Sequence, residues 1–272
     1  MRNKKMKFPL MGLGLIILFF ISSCLNEPSV ELPVNGKPLL LTEFKSDDEI
    51  TRFEYNSDSS VNKIFFTKDP ISNNQNVTYS VKYLANKKVD EINGSNGIKI
   101  KLSYGWISYG GNGIVKSEVF ASGGISISTE YSYTVTQISS VLKYLKFTNS
   151  SILVPTYKFD FTNNSSNNVS QMKFFYYNQV NSKYVEESTV NFQFDDKKNP
   201  FASAGDLMLI FWQYANKNNI IRQENKDMSG DLLELIETNY IYNSFGYPTK
   251  ATMKITEPGM QPTTSQLSYT YK

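Results

Sequence analysis

The chain has 272 residues, with 28 Lys or Arg, 25 Asp or Glu, 14% aromatic residues, one cysteine and no histidine. The missing histidine excludes, within this chain, Ser-His-Asp and Cys-His nucleophiles and zinc sites built from Cys and His. The single cysteine excludes an internal disulfide, and no Gly-rich phosphate loop of either standard spacing occurs.

Arg2, Lys4, Lys5 and Lys7 precede an apolar stretch from Phe8 to Ile21. That stretch is shorter than the ~20 residues a spanning helix needs and carries the positive flank of an export signal. It ends in Ile21-Ser-Ser-Cys24, which resembles the lipobox of bacterial lipoproteins. The resemblance implies that residues 1–23 are removed and that Cys24 is lipidated, making a membrane the first partner. Four of the 28 basic residues and none of the 25 acidic ones lie before Cys24, which leaves 24 against 25. The basic excess therefore belongs to the signal, and nothing in the charge balance points to nucleic acid. Residues 24–38 hold Pro28, Pro33 and Pro38 and read as an extended tether. Only Glu27 is acidic near the cysteine, so the cell envelope, with the outer membrane foremost, is the expected location while the leaflet stays open.

Residues 39–272 read as one β-rich domain. Apolar and polar residues alternate from Ile50 to Tyr55, Val77 to Tyr83, Ile98 to Tyr104, Ile125 to Tyr133, Tyr157 to Phe161, Val190 to Phe194 and Leu267 to Lys272. Alternation at period two places one face of a strand on a core and the other in water. Asn, Ser, Gly and Asp clusters separate these runs, as hairpin loops require. The expected fold is all-β: a curved antiparallel meander, open or partly closed, with a β-sandwich as the alternative. One or two short helices are expected. Phe201 to Tyr214 follows Asn199-Pro200 and favours helix, with Trp212 as core; Ser229 to Ile236 is a weaker helix candidate.

A hairpin unit recurs. Phe53-Glu-Tyr55-Asn-Ser runs on to Val61, Lys63 and Ile64, and Tyr240-Ile-Tyr242-Asn-Ser runs on to Pro248, Lys250 and Ala251. Val81-Lys-Tyr83 continues to Val89 and Ile92 at the same offsets as Val61 and Ile64. These units resemble degenerate YD repeats. Together with Phe192-Gln-Phe-Asp195-Asp196-Lys-Lys-Asn199-Pro200-Phe201, Asn216-Lys-Asn-Asn219 and the final Tyr-Thr-Tyr strand, the chain resembles Bacteroidota lipoproteins with a domain of unknown function. That resemblance implies a curved antiparallel sheet and no particular activity.

Ser-x-x-Lys occurs at Ser60, Ser140 and Ser170, without the helix or companion motifs of a Ser-Lys enzyme. Asp195 and Asp196 suit a turn better than a calcium loop, which wants six or more oxygens at set spacing. Tyr104, Trp106 and Tyr109 lie among Gly105, Gly110, Gly111 and Gly113; Tyr104 and Trp106 share one face, as sugar-stacking aromatics do, or as cross-strand pairs do. These three are the candidate ligand-binding residues. No catalytic residue, metal site or cofactor is assigned. The expected function is a non-enzymatic envelope module that binds a glycan or protein partner. The alternatives are carriage of a lipid on a concave sheet face and a carboxylate-based polysaccharide hydrolase.

Overall fold

The computed structural model describes residues 39–47, 49–107, 111–121, 124–134, 137–147, 150–204, 206–211 and 216–272. Cys24, Tyr109, Trp212 and Tyr214 lie outside them. The sixteen strands among these residues are β1 (Leu41–Ser46), β2 (Glu49–Tyr55), β3 (Val61–Lys68), β4 (Gln75–Tyr83), β5 (Val89–Gly94), β6 (Lys99–Ile107), β7 (Gly111–Phe120) and β8 (Ile125–Thr134) in the first half. The second half holds β9 (Gln137–Phe147), β10 (Leu153–Asn163), β11 (Val169–Asn178), β12 (Lys183–Lys198), β13 (Asn218–Asp227), β14 (Leu232–Tyr242), β15 (Pro248–Thr256) and β16 (Thr263–Tyr271).

Each strand pairs antiparallel with its sequence neighbours, and β16 pairs with β1, so the meander closes into a barrel. Closure corrects both the open or partly closed sheet and the sandwich alternative. Its physical reason lies at the ends of the chain. Leu40 and Lys272 exchange both backbone hydrogen bonds at 3.0 Å, and Phe44 lies opposite Tyr269, so no ladder of unpaired amides remains at an edge.

The recurring units share one turn geometry. In the turns at 56–60, 84–88, 94–98, 164–168, 227–231 and 243–247, the first amide bonds to the fifth carbonyl and the fourth amide to the first carbonyl. The fourth residue is left-handed in each: Ser59, Lys87, Gly97, Asn167, Gly230 and Gly246 all have positive φ. This is a type I turn closed by a bulge. Asn164, Asp227 and Asn243 add side-chain oxygens that accept two amides apiece, which is why Asn or Asp suits the opening position of three of these turns.

The aromatics before the turns have their own role. The hydroxyls of Tyr55, Tyr83, Tyr133, Tyr240 and Tyr271 donate to the carbonyls of Leu41, Val61, Ile114, Ile220 and Pro248 at 2.7–3.1 Å. Each bond ties the end of one strand to the start of the strand before it. A tyrosine can bury its ring in this way and still satisfy its hydroxyl. Burial pushes the Tyr83 hydroxyl up to about 12, so it stays a donor.

Pro200 opens a 3-10 turn, Pro200–Ala204, and helix α1 follows, Asp206–Phe211. Asn199 Oδ1 accepts the Phe201 amide and starts the turn. This segment, entering from β12, plugs the inside of the barrel. Phe201 packs on Phe44 and Phe53 with ring centroids at 5.4 and 6.3 Å, and Phe211 packs on Phe66 and Tyr79 at 5.3 and 5.2 Å. A round barrel of 16 strands ordinarily leaves an aqueous channel. Here the plug and inward side chains such as Ile64, Ile92, Ile100 and Ile114, each fully buried, form one apolar core. The helix expected at Ser229 to Ile236 is instead a turn followed by β14. Gly230 is left-handed, and β14 finds partners on both sides in β13 and β15, which outweighs local helix preference.

The outer face is charged. Lys63 pairs with Glu54 at 3.1 Å, Lys82 and Lys99 meet Glu91 at 3.1 and 2.5 Å, and Lys146 reaches Glu118 at 3.3 Å. Lys173 pairs with Glu186 at 3.1 Å and Arg222 with Glu237 at 3.0 Å. Such exposed pairs add little stability one by one. Their importance is where they stand. A membrane-spanning barrel shows lipid an apolar band about 25 Å tall, and a Lys or Arg there costs roughly 2–4 kcal/mol at the midplane. The polarity of this barrel is the reverse.

Candidate functional site

At the plug end, the two short motifs around Asp195 and Asn216 form one network. Asp195 accepts the Lys197 and Asn219 amides at 3.0 and 3.1 Å, the Asn219 side chain at 3.1 Å, and the Tyr242 hydroxyl. Asp195 thus caps its own backbone, but at the bulged end of β12 rather than in a turn, and it also fixes β12 to β13 and β14. Asn168, 1% exposed, accepts the Lys217 and Asn218 amides at 2.7 and 3.1 Å and donates to Asn218 at 2.9 Å. Asn199 donates to the Asn216 carbonyl at 2.8 Å. The network borders a polar cleft of about 610 Å³ lined by Asn164, Ser166, Asp195, Asp196 and Lys217 among others. Asp196 pairs with Lys197 at 3.0 Å, which holds its carboxyl below the usual range. The oxygens are committed to holding the chain that leaves and re-enters the barrel, and the described residues contain no cluster of three or more acidic or other ligating side chains.

Tyr104 faces inward. Its hydroxyl donates to Asp206 of the plug at 2.7 Å, and the Lys88 ammonium lies 4.5 Å from its ring centroid. Trp106 pairs through its backbone with Asn112. Gly105 is opposite Gly113, and a Cβ on it would meet Val115 Cγ1 at 2.9 Å, so this glycine answers to a side chain of its own sheet. The Ser-x-x-Lys matches do not form pairs: Lys63 and Lys173 meet carboxylates outside, and Ser140 and Lys143 stand on opposite faces of β9. Glu234, on the inner face of β14 opposite Asn225, has its carboxyl raised by burial and by the nearby Glu257, which is exposed.

At the other end, β7 to β12 form an apolar mouth whose inner face is arranged in rows. The deepest row, Tyr131, Val141, Phe159 and Phe174, is buried. Next come Ser117, Thr129, Lys143, Tyr157, Tyr176 and Val185. Above them lie Val119, Ile127, Leu145 and Val154, and at the rim Ile125 lies opposite Phe147. Exposure rises along this series: Tyr176 is 38% exposed, Ile127 40%, Ile125 45% and Phe147 46%, although all point inward. Lys143 is the cation at the floor. Its Nζ lies 5.4 Å from the Phe159 ring centroid, and burial alone pushes its pKa down to about 8. No carboxylate among the described residues pairs with it. Sequence reasoning passed over this lysine. The signal was its spacing from Lys146: three residues apart on a strand, the two must face opposite sides, and Val141 and Leu145 put Lys143 on the apolar one.

No family model matches the chain, and no curated protein is detectably similar to it. Among solved structures, the chain is similar to a porin-like protein from Bacteroides uniformis, with a TM-score of 0.54 at 14% identity over 86% of this chain and 95% of that one. A porin-like protein from Bacteroides vulgatus aligns over 86% of this chain and 99% of its own, with a TM-score of 0.48 at 11% identity. A DUF3836 family protein from Parabacteroides distasonis matches over 49% of this chain, with a TM-score of 0.26 at 13% identity. At such identities the first likeness shows the fold: a closed antiparallel barrel. The described residues define a barrel with charges outside, an apolar plugged core and an open apolar mouth.

Proposed function

We propose that this is a non-enzymatic binding module of the cell envelope, tethered to a membrane through Cys24, that stands in water and takes an apolar ligand in the mouth between β7 and β12. The lipobox and the barrel's likeness to a porin-like protein support the envelope location. The observation that carries the binding role is the row of inward yet exposed side chains at Ile125, Ile127 and Phe147. Apolar side chains on the core face of a sheet are ordinarily covered, and an uncovered concave set marks a ligand or partner site. The glycan-stacking role of Tyr104, Trp106 and Tyr109 stays a second reading, with Tyr104 directed to the plug rather than outward.

The test uses the mature chain with Cys24→Ser and the apolar dye N-phenylnaphthylamine, whose fluorescence rises out of water. Saturable binding is expected, and Ile127→Glu should abolish it without moving the unfolding midpoint by more than a few degrees. Absence of saturable binding, or binding untouched by both Ile127→Glu and Phe147→Glu, would contradict the proposal.

A further inference from the structure

The rows of the mouth differ in one respect that selects among apolar ligands. Two of them, Val119-Ile127-Leu145-Val154 and Ile125-Phe147, are apolar along β7 to β10 and turn polar only at the β11–β12 corner, where Asn178 lies opposite Lys183. The row beneath carries a single cation, Lys143, flanked by the hydroxyl residues Thr129 and Tyr157. Lys146, three residues away on the outer face, meets Glu118 at 3.3 Å, whereas among the described residues Lys143 meets the face of Phe159 and no carboxylate. An ammonium partly removed from water without a counter-charge, as on half-buried Lys143, is costly unless something supplies that charge.

We propose that the mouth takes a long-chain carboxylate, its head against Lys143 and its chain along Ile127, Leu145 and Phe147 toward the rim. The inference rests on the mouth being the ligand site. One cation at the floor matches one negative charge, and Thr129 and Tyr157, opposite Lys143 on β8 and β10, are the neighbouring residues with hydroxyls to offer the head group. Lys143 and Phe147 are four residues apart on one strand, which spans about 13 Å at the ordinary strand rise. That length is covered with apolar side chains, so an extended acyl chain keeps contact from its head to the rim. A neutral head would leave the ammonium uncompensated.

The experiment is competition for a dansylated undecanoic acid bound to the mature chain with Cys24→Ser. Tetradecanoate and tetradecanol compete, against the unsubstituted site, Lys143→Met and Lys143→Arg. Tetradecanoate should displace the probe at least tenfold more effectively than tetradecanol. Lys143→Met should erase that preference while tetradecanol still binds, and Lys143→Arg should restore most of it. Equal displacement by acid and alcohol at the unsubstituted site would overturn the carboxylate inference and leave the apolar mouth standing. Displacement by neither, with a sedimenting dimer dissociated by Ile127→Glu, would make the mouth a contact between copies and overturn both.

Discussion

Replacing Lys143 by methionine should make the protein more stable. Burial lowers the Lys143 pKa from 10.5 to about 8 in the folded chain, a difference worth at most about 3 kcal/mol at ~1.4 kcal/mol per pKa unit, since the half-buried side chain keeps some contact with water. The unfolded chain holds this proton more tightly than the folded one, so below about pH 8 the charged lysine opposes folding by the whole amount. As pH rises from about 8 to 10.5 the folded state has already lost the proton, stability climbs, and the penalty fades. Methionine has a similar length, fills the same space and carries no charge. At pH 7 the Lys143→Met midpoint should therefore rise, by up to roughly 6–12 °C, taking about 2–4 °C per kcal/mol for a chain of this size. The advantage should shrink toward zero near pH 11. Circular dichroism melts of both proteins across that pH range give the answer. A methionine variant no more stable than the parent at pH 7, or a gain that grows with pH, would refute the burial of an uncompensated charge. A gain of stability paired with a loss of carboxylate preference is the signature of a residue kept for binding.

Asn168→Ala should cost about 2–4 kcal/mol in urea unfolding, because two amides, of Lys217 and Asn218, lose their acceptor in a buried turn; a loss under 0.5 kcal/mol, roughly, would mean that water replaces it. Phe211→Ala should cost about 3–5 kcal/mol by opening space between Phe66 and Tyr79, and calorimetry should show the whole barrel melting earlier as one unit. Glu234→Gln should stabilise the chain at neutral pH, since burial raises that carboxyl and its ionisation opposes folding above the raised value. The gain should vanish as pH falls below the ordinary carboxylate range, where both states are protonated; melts at pH 7 and at acid pH compare the two.

The alternating runs read from the sequence are β2, β4, β6, β8, β10, β12 and β16. The returning strands were harder to see because they are short or mix their faces: β5, Val-Asp-Glu-Ile-Asn-Gly, buries Val89 and Ile92 around a Glu91 held by two lysines. Leu232-Leu-Glu-Leu-Ile236 in β14 fits a helix as readily as a strand until its neighbours supply ladders on both sides. Closure was not legible at all, since it depends on a pairing between Phe44 and Tyr269 at opposite ends of the chain. The motif pair at Asp195 and Asn216 was visible as residues, and the structure explains it as one hinge holding the plug's entry and exit. Lys143 is visible in the sequence only as the end of a Ser-x-x-Lys match at Ser140 that lacks the context of an enzyme.

The reversed polarity of the barrel is tested most directly by detergent phase separation of the mature chain with Cys24→Ser, followed by sedimentation in buffer without detergent. A barrel with Lys63, Lys82, Lys99, Lys146 and Lys173 on its outer face stays in the aqueous phase and sediments as one discrete species. Partition of the lipid-free chain into the detergent phase, with aggregation once detergent is removed, would show that this outer face meets lipid and would contradict a barrel built to stand in water.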